Sequence, residues 1–196
     1  MSIADLPTRT ADTSAPLLGV LADRWSPRSY DATAPVDELK LTAALEAARW
    51  SPSANNSQPW RFIVARRGTE AFDAVAANLM GFNQAWAGSA GVLIVALAET
   101  VDENGQERPW AKYDLGQAVA HLTVQAHHDG LHAHQMGGFV ADGLREAFGI
   151  DGRFTPISVT ALGVVGEPEA LPEALREREI APRSRAALDD ILLVNA

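Results

Sequence analysis

The chain contains no cysteine. That excludes disulfides, thiolate nucleophiles and cysteine-ligated metals together, and it fits a reducing compartment. Positive charge is scarce: 16 Lys and Arg stand against 25 Asp and Glu, for a net charge of −9. A surface of that sign repels nucleic acid and anionic membranes, so neither is an expected partner. The longest strongly apolar run, residues 91–98, falls far short of the ~20 residues a bilayer span needs. Residues 1–13 are polar and carry Asp5 and Asp12, with no basic segment leading into an apolar one, so a secretory signal is not expected. No G-x-G-x-x-G follows a strand pattern, and no G-x-x-x-x-G-K-[ST] occurs, so a resident nicotinamide or a phosphate loop of those types is not expected. The default is a cytoplasmic protein.

What is present is a globular chain of 196 residues, 47 % of them hydrophobic, enough for one sizeable core. With no repeat and no linker, the expectation is a flexible arm over 1–12 and one domain over 13–196. A short helix is expected within 14–22. Apolar positions at Val36, Leu39, Ala43, Ala44 and Ala47 predict a helix over 36–50, opened by Pro35 and capped by Thr33. Residues 61–66 read as a strand, and Thr69 as the cap of a helix over 70–80. The run 91–98, apolar on both faces, reads as a central strand. A loop with a turn at Asn104-Gly105 precedes a long helix over 113–129, which Gly130 ends. A strand over 131–135, a helix over 141–148 and a strand over 157–165 complete the pattern.

Three clusters call for chemistry. Arg24-Trp25-Ser26-Pro27-Arg28-Ser29-Tyr30 sets two guanidinium groups and a hydroxyl in a proline-stiffened loop, a donor set that suits phosphate. Arg183-Ser184-Arg185 repeats the arrangement near the other end of the chain, and one anion held from both would account for the two. Ser51 to Trp60, SPSANNSQPW, carries more amide and hydroxyl groups than a connector needs. Solvated loops explain the first two equally well, and self-capping by Asn and Ser explains the third. All five histidines fall between His121 and His134. Gly130 breaks the helical spacing of His128 and His132, so no metal site is expected, and polar residues at a helix end and a strand edge are the simpler reading.

In this order the clusters resemble the FMN-dependent nitroreductase family. The pattern R-x-S-x-R-x-(F/Y) matches Arg24 to Tyr30, and S-P-S-x-x-N-x-Q-P-W matches Ser51 to Trp60. D-x-G-x-A matches Asp114 to Ala118, the glycine turn matches Met136 to Phe139, and R-x-R matches Arg183 to Arg185. The resemblance implies an α+β fold, a mixed central β-sheet flanked by helices, in a homodimer whose C-terminal tails are exchanged. The apolar Leu188, Ile191, Leu192 and Val194 suit such a tail.

It also implies an FMN site drawn from Arg24, Trp25, Ser26, Arg28, Pro52, Ser53, Asn56, Gln58, Met136, Gly137, Gly138, Arg183 and Arg185. Arg24, Ser26, Arg183 and Arg185 would serve the phosphate and ribityl chain, and Arg28 the pyrimidine edge. Ser53 and its neighbours would reach the flavin of the second subunit, Asn56 would bond the ring, and 136–138 would lie beside N5. Gly137 stands where several relatives carry Glu. The implied activity is ping-pong hydride transfer from NADH or NADPH through flavin N5 to a nitroaromatic, a quinone or a similar small acceptor, with no side chain expected to be catalytic. A flavin carrier or redox sensor would use the same binding residues, as would a specialised branch such as a dehalogenase or azoline oxidase.

Overall fold

The computed structural model describes residues 9–195. Residues 1–8 of the expected arm lie outside them. Four strands, β1 (Trp60–Arg66), β2 (Val92–Glu99), β3 (His132–Met136) and β4 (Phe154–Gly163), form one sheet in the order β1-β2-β4-β3. All three pairings are antiparallel, where a mixed sheet was expected. Around it lie α1 (Gly19–Asp23), α2 (Glu38–Arg49), α3 (Glu70–Ala77), α4 (Ala111–His128), α5 (Ala141–Phe148), α6 (Glu173–Ile180) and α7 (Leu188–Ile191). Among the described residues no helix is long and apolar enough to cross a membrane.

Strand β2 is buried along its whole length, because it is paired on both edges and covered on both faces. Its side chains alternate between two cores. Leu93, Val95 and Leu97 join Phe72, Val75 and Leu144 from α3 and α5. Val92, Ile94, Ala96 and Ala98 join Leu41, Ala44, Leu115 and Leu122 from α2 and α4. The continuous apolar run seen in the sequence is the imprint of this double burial.

Most differences from the expected elements have local causes. Helix α2 begins after Asp37, whose carboxylate accepts from the amides of Leu39 (2.9 Å) and Lys40 (3.3 Å). Asp37 lies one residue before the first turn, where a carboxylate also meets the helix dipole, so it caps in place of Thr33. Thr33 instead donates to Asp31. Helix α1 covers only the end of 14–22, because Pro16 disfavours helical backbone at Ala15. Strand β4 starts earlier than expected and contains Pro156, which sits at a register shift opposite Leu97 and beyond the reach of β3. A missing amide is tolerated there.

The segment after β4 is stitched to the Arg24–Tyr30 loop. Gly166 N donates to Ser29 O (3.0 Å), and Asp31 N donates to Val164 O (3.0 Å). A Cβ on Gly166 would lie 2.7 to 2.9 Å from backbone atoms of Tyr30 and Asp31. We therefore expect Gly166→Ala to push the loop away, with a loss of about 2 kcal/mol in chemical denaturation. An unchanged unfolding midpoint would show that the loop has room to give.

Candidate functional site

The Arg24–Tyr30 loop is held from three elements. Glu179 of α6, fully buried, accepts the amides of Arg28 (2.9 and 3.0 Å) and Ser29 (3.2 Å). Ser29 Oγ donates to Glu167 O (2.5 Å), and Tyr30 Oη donates to Ala161 O in β4 (3.1 Å). His134 of β3 uses Nδ1 on Pro27 O (2.8 Å). Since that carbonyl can only accept, Nδ1 must carry the proton. Clamps of this kind fix a binding loop before its ligand arrives.

The two Arg clusters, far apart in sequence, share one electrostatic neighbourhood. The Arg24 guanidinium is pushed below its ordinary range by burial first, and then by the charges of Arg183 and Arg185. Arg24 Nη1 reaches Ser26 Oγ at 3.4 Å. Arg9 is likewise lowered by burial, partly restored by Glu179 and lowered again by Arg183 and Arg28. Glu179 is the carboxylate among these charges, and burial raises its own pKa. Arg183 is not free to turn toward a ligand with all its donors, because its Nη1 donates to the carbonyls of Arg9 and of Ala22. Arg185 is exposed and donates to Ser184 O (2.7 Å).

The SPSANNSQPW loop is unusual in its backbone. Asn55, Asn56 and Gln58 all have positive φ, 53°, 54° and 46°. Such conformations are strained for side-chain-bearing residues and need local support. Ser53 Oγ accepts the Gln58 amide (3.0 Å), Gln58 Nε2 donates to Asn56 O (3.2 Å), and the buried Asp114 of α4 accepts the Ala54 amide (3.1 Å). Self-capping thus accounts for Ser53 and Gln58. Among the described residues the side chains of Asn55 and Asn56 have no hydrogen-bond partner, and both are exposed. Pro52 is exposed beside them. Arg108 Nη1 donates to Ser57 O (3.1 Å) and Arg61 Nη1 to Gln58 O (3.1 Å), but among the described residues no hydrogen bond or ion pair joins this loop to Arg24, Arg28, Arg183 or Arg185.

At the end of β3, Met136 is buried, and Gly138 O accepts from Met80 N (3.0 Å) and Asn83 Nδ2 (3.2 Å). Gly137 is exposed, with no atom within 4 Å of where a Cβ would stand, so it forms an open ledge. Trp60 and Phe139 belong to the cores, and Trp86 is buried against Tyr30 and His134. Phe82 and Trp110 are exposed. A cleft of about 700 Å³ lies between segments 29–32, 84–89 and 165–171, and none of the expected flavin residues lines it.

The histidines are mostly structural. His132 and His134 are pushed down to about 4, chiefly by burial, and His127 is lowered by burial and by Arg24. His132 and His134 are therefore neutral rings at pH 7. Among the described residues no three His, Cys, Asp or Glu could hold a metal ion. Between pH 6.5 and 4 the unfolded chain binds protons at His132 and His134 that the folded chain refuses. Stability contributed by their burial as neutral rings is therefore present above pH 6.5 and lost as pH falls toward 4. Each ring contributes about 3 kcal/mol at most. Denaturation midpoints should drop between pH 6.5 and 4.5, and His134→Gln should flatten that slope.

Sequence reasoning missed Glu179, Asp114, His134 and Arg9. Asp114 was visible only as part of a motif. Glu179 lies in a helix crowded with exposed charge, where nothing in the pattern separates it from its neighbours.

The architecture is that of an α+β protein with a doubly covered antiparallel sheet and a basic cluster gathered from both ends of the chain. The sequence matches the Nitroreductase family over residues 21–77 and 66–164, and the chain belongs to that family. It is 34 % identical to the chain in a crystal structure of an oxidoreductase containing FMN, covering 94 % of both chains with a TM-score of 0.88. It is 36 % identical over 138 residues to a 15.4 kDa Mycolicibacterium smegmatis protein from the ask 5′ region, described there as uncharacterized. That match spans 67 % of this chain and 92 % of the relative. YdgI of Bacillus subtilis (strain 168), a candidate NAD(P)H nitroreductase by name, is 25 % identical over 185 residues, 74 % of this chain and 86 % of its own.

Proposed function

We infer that the protein is an FMN-dependent oxidoreductase that takes electrons from NADH or NADPH and reduces nitroaromatic, quinone or similar acceptors. The observation that carries this reading is that Arg183, from the far end of the chain, donates to Ala22 O two residues before Arg24, whose guanidinium is lowered by burial and then by the charges of Arg183 and Arg185. Positive charge held together against its own repulsion suits a dianionic phosphate monoester. The donor set fits that group, and the open ledge at Gly137 leaves room for a flat ring. The relative that contains FMN supports the same cofactor here.

Arg24, Ser26 and Arg185 would hold the phosphate and ribityl chain. Arg183 would brace them through Arg9 O and Ala22 O. Trp25 lies between Arg24 and Ser26 and would wall that end of the site. Arg28 would face the pyrimidine edge, where a cation favours the electron-rich ring. Met136, Gly137 and Gly138 would line the reacting edge with backbone. FMN held by these residues would supply two-electron redox chemistry between the nicotinamide and the acceptor. No side chain of this protein is required as acid, base or nucleophile.

Among the described residues Pro52, Ser53, Asn56 and Gln58 have no hydrogen bond or ion pair to Arg24, Arg28, Arg183 or Arg185. They would serve the flavin of a second copy, Asn56 by bonding the ring. The exposed Ile191, Leu193 and Val194 (65 %, 99 % and 81 % accessible) suit a tail that packs on that copy. An acidic, cysteine-free chain fits a cytoplasmic location. FMN-loaded protein should oxidise NADH or NADPH in the presence of menadione or a nitrofuran, and light scattering should give a dimer. A flavin-loaded monomer would overturn the two-chain site.

A further inference from the structure

Arg9 was expected to belong to a loose arm, yet it is built into the basic cluster. Ala11 N donates to Ala22 O (2.9 Å), and Thr10 Oγ1 donates to Asp23 Oδ1 (2.7 Å). The Arg183 guanidinium bridges the carbonyls of Arg9 and Ala22. Residues 9–11 are thereby strapped across the end of α1. This strap lays the Arg9 guanidinium over the Trp25 ring, with Cζ 3.9 Å from the centroid. Trp25 stands between Arg24 and Ser26, in the loop that carries the candidate anion ligands.

The guanidinium so placed is unsatisfied. Among the described residues Arg9 Nε and Nη2 are buried without a hydrogen-bond partner, as are Nδ1 of His127 and Nδ1 of His132. His132 meets the edge of Trp25 with ring centroids 6.2 Å apart, and His127 meets His132 at 4.9 Å. Arg9 therefore lies over the face of Trp25 and His132 against its edge, with His127 packed behind His132. Glu179, the carboxylate charge acting on Arg9, already accepts the Arg28 and Ser29 amides. Buried donors without acceptors are costly, and in native proteins they generally mark a missing partner. For the Arg9 guanidinium the missing partner must be an acceptor, and the like charges of Arg183 and Arg28 favour an anion there.

We propose that Arg9, strapped over Trp25 by its bonds to α1 and Arg183, is a further ligand of the phosphoryl group that Arg24 and Arg185 bind, with Arg183 serving as the staple that sets it there. The inference rests on the flavin reading above and extends it to a residue well outside the Arg24–Tyr30 segment. It makes the N-terminal strap part of the site and a determinant of preference for a phosphorylated over an unphosphorylated flavin.

The test is fluorescence titration of the full chain with FMN and with riboflavin, for the native protein, Arg9→Ala and Arg9→Lys. Loss of one charge-assisted hydrogen bond should weaken FMN binding about tenfold or more in Arg9→Ala and leave riboflavin within about twofold. Arg9→Lys should recover part of the loss, because the charge remains while the planar fork is gone. The dependence of FMN affinity on salt should also become shallower. Equal weakening of both flavins, or no change in either, would overturn the proposal and leave Arg9 as a structural strap. A native protein that binds FMN no better than riboflavin would overturn it together with the phosphate site. A native protein that binds neither would overturn the flavin reading itself.

Discussion

Glu179→Ala is expected to lower the stability of the protein by about 3 kcal/mol or more, the range for stripping a buried charge from its partners. Two amides, of Arg28 and Ser29, would lose their acceptor in a closed environment. The basic cluster would lose its carboxylate, leaving Arg9, Arg28 and Arg183 to repel one another. Chemical denaturation should show the loss, and flavin affinity should fall with it, since the loop that carries Arg24 to Arg28 is no longer clamped. Glu179→Gln keeps an acceptor oxygen but also turns an amide donor toward backbone donors, so it should recover only part of the loss. Full stability in Glu179→Ala would mean that the loop is held by His134, Ser29 and Tyr30 alone.

Removing arginines from the same cluster should act in the opposite sense on the free protein. Arg24→Ala with Arg185→Ala is expected to reduce FMN affinity about 100-fold or more, because two charge-assisted hydrogen bonds to the phosphate disappear at once. Without flavin, the double variant should be as stable as the native protein or more stable. Its cations lie among like charges, and among the described residues Arg24 reaches only Ser26, at 3.4 Å. A pair of substitutions that weakens ligand binding while relieving the fold is the signature of residues placed for function against local stability. Unchanged FMN affinity would remove the phosphate from this cluster. A fall in stability as large as that of Glu179→Ala would mark the arginines as structural.

The fold was legible in the sequence wherever one dominant cause acted. The apolar run of β2 announced a strand covered on both faces, and Gly130 announced the end of α4. Thr69 was readable as a cap, since its hydroxyl does accept the Phe72 amide. Two causes competed where the reading failed. Asp37 and Thr33 both suit a helix start, and only the chain path decides between them. The antiparallel order of the strands depends on contacts between distant segments, which local patterns do not encode.

The candidate site divides in the same way. The two Arg clusters could be matched by charge and motif, and in the fold the charges of Arg183 and Arg185 do act on Arg24. Glu179, His134 and Arg9 were invisible because their importance comes from burial beside one another and not from their neighbours in sequence. Asn55, Asn56 and Gln58 gave no hint of positive φ beyond the general tolerance of asparagine. In one chain the side chains of Asn55 and Asn56 remain exposed.

The most direct test of the flavin reading is the visible spectrum of the purified protein mixed with FMN, before and after NADH or NADPH is added without air. The account predicts a bound-flavin spectrum that bleaches on addition of the nicotinamide and returns when menadione is supplied. A yellow protein that neither nicotinamide bleaches would keep the binding site and remove the reductase. A colourless protein that takes up no FMN would contradict the account at its centre.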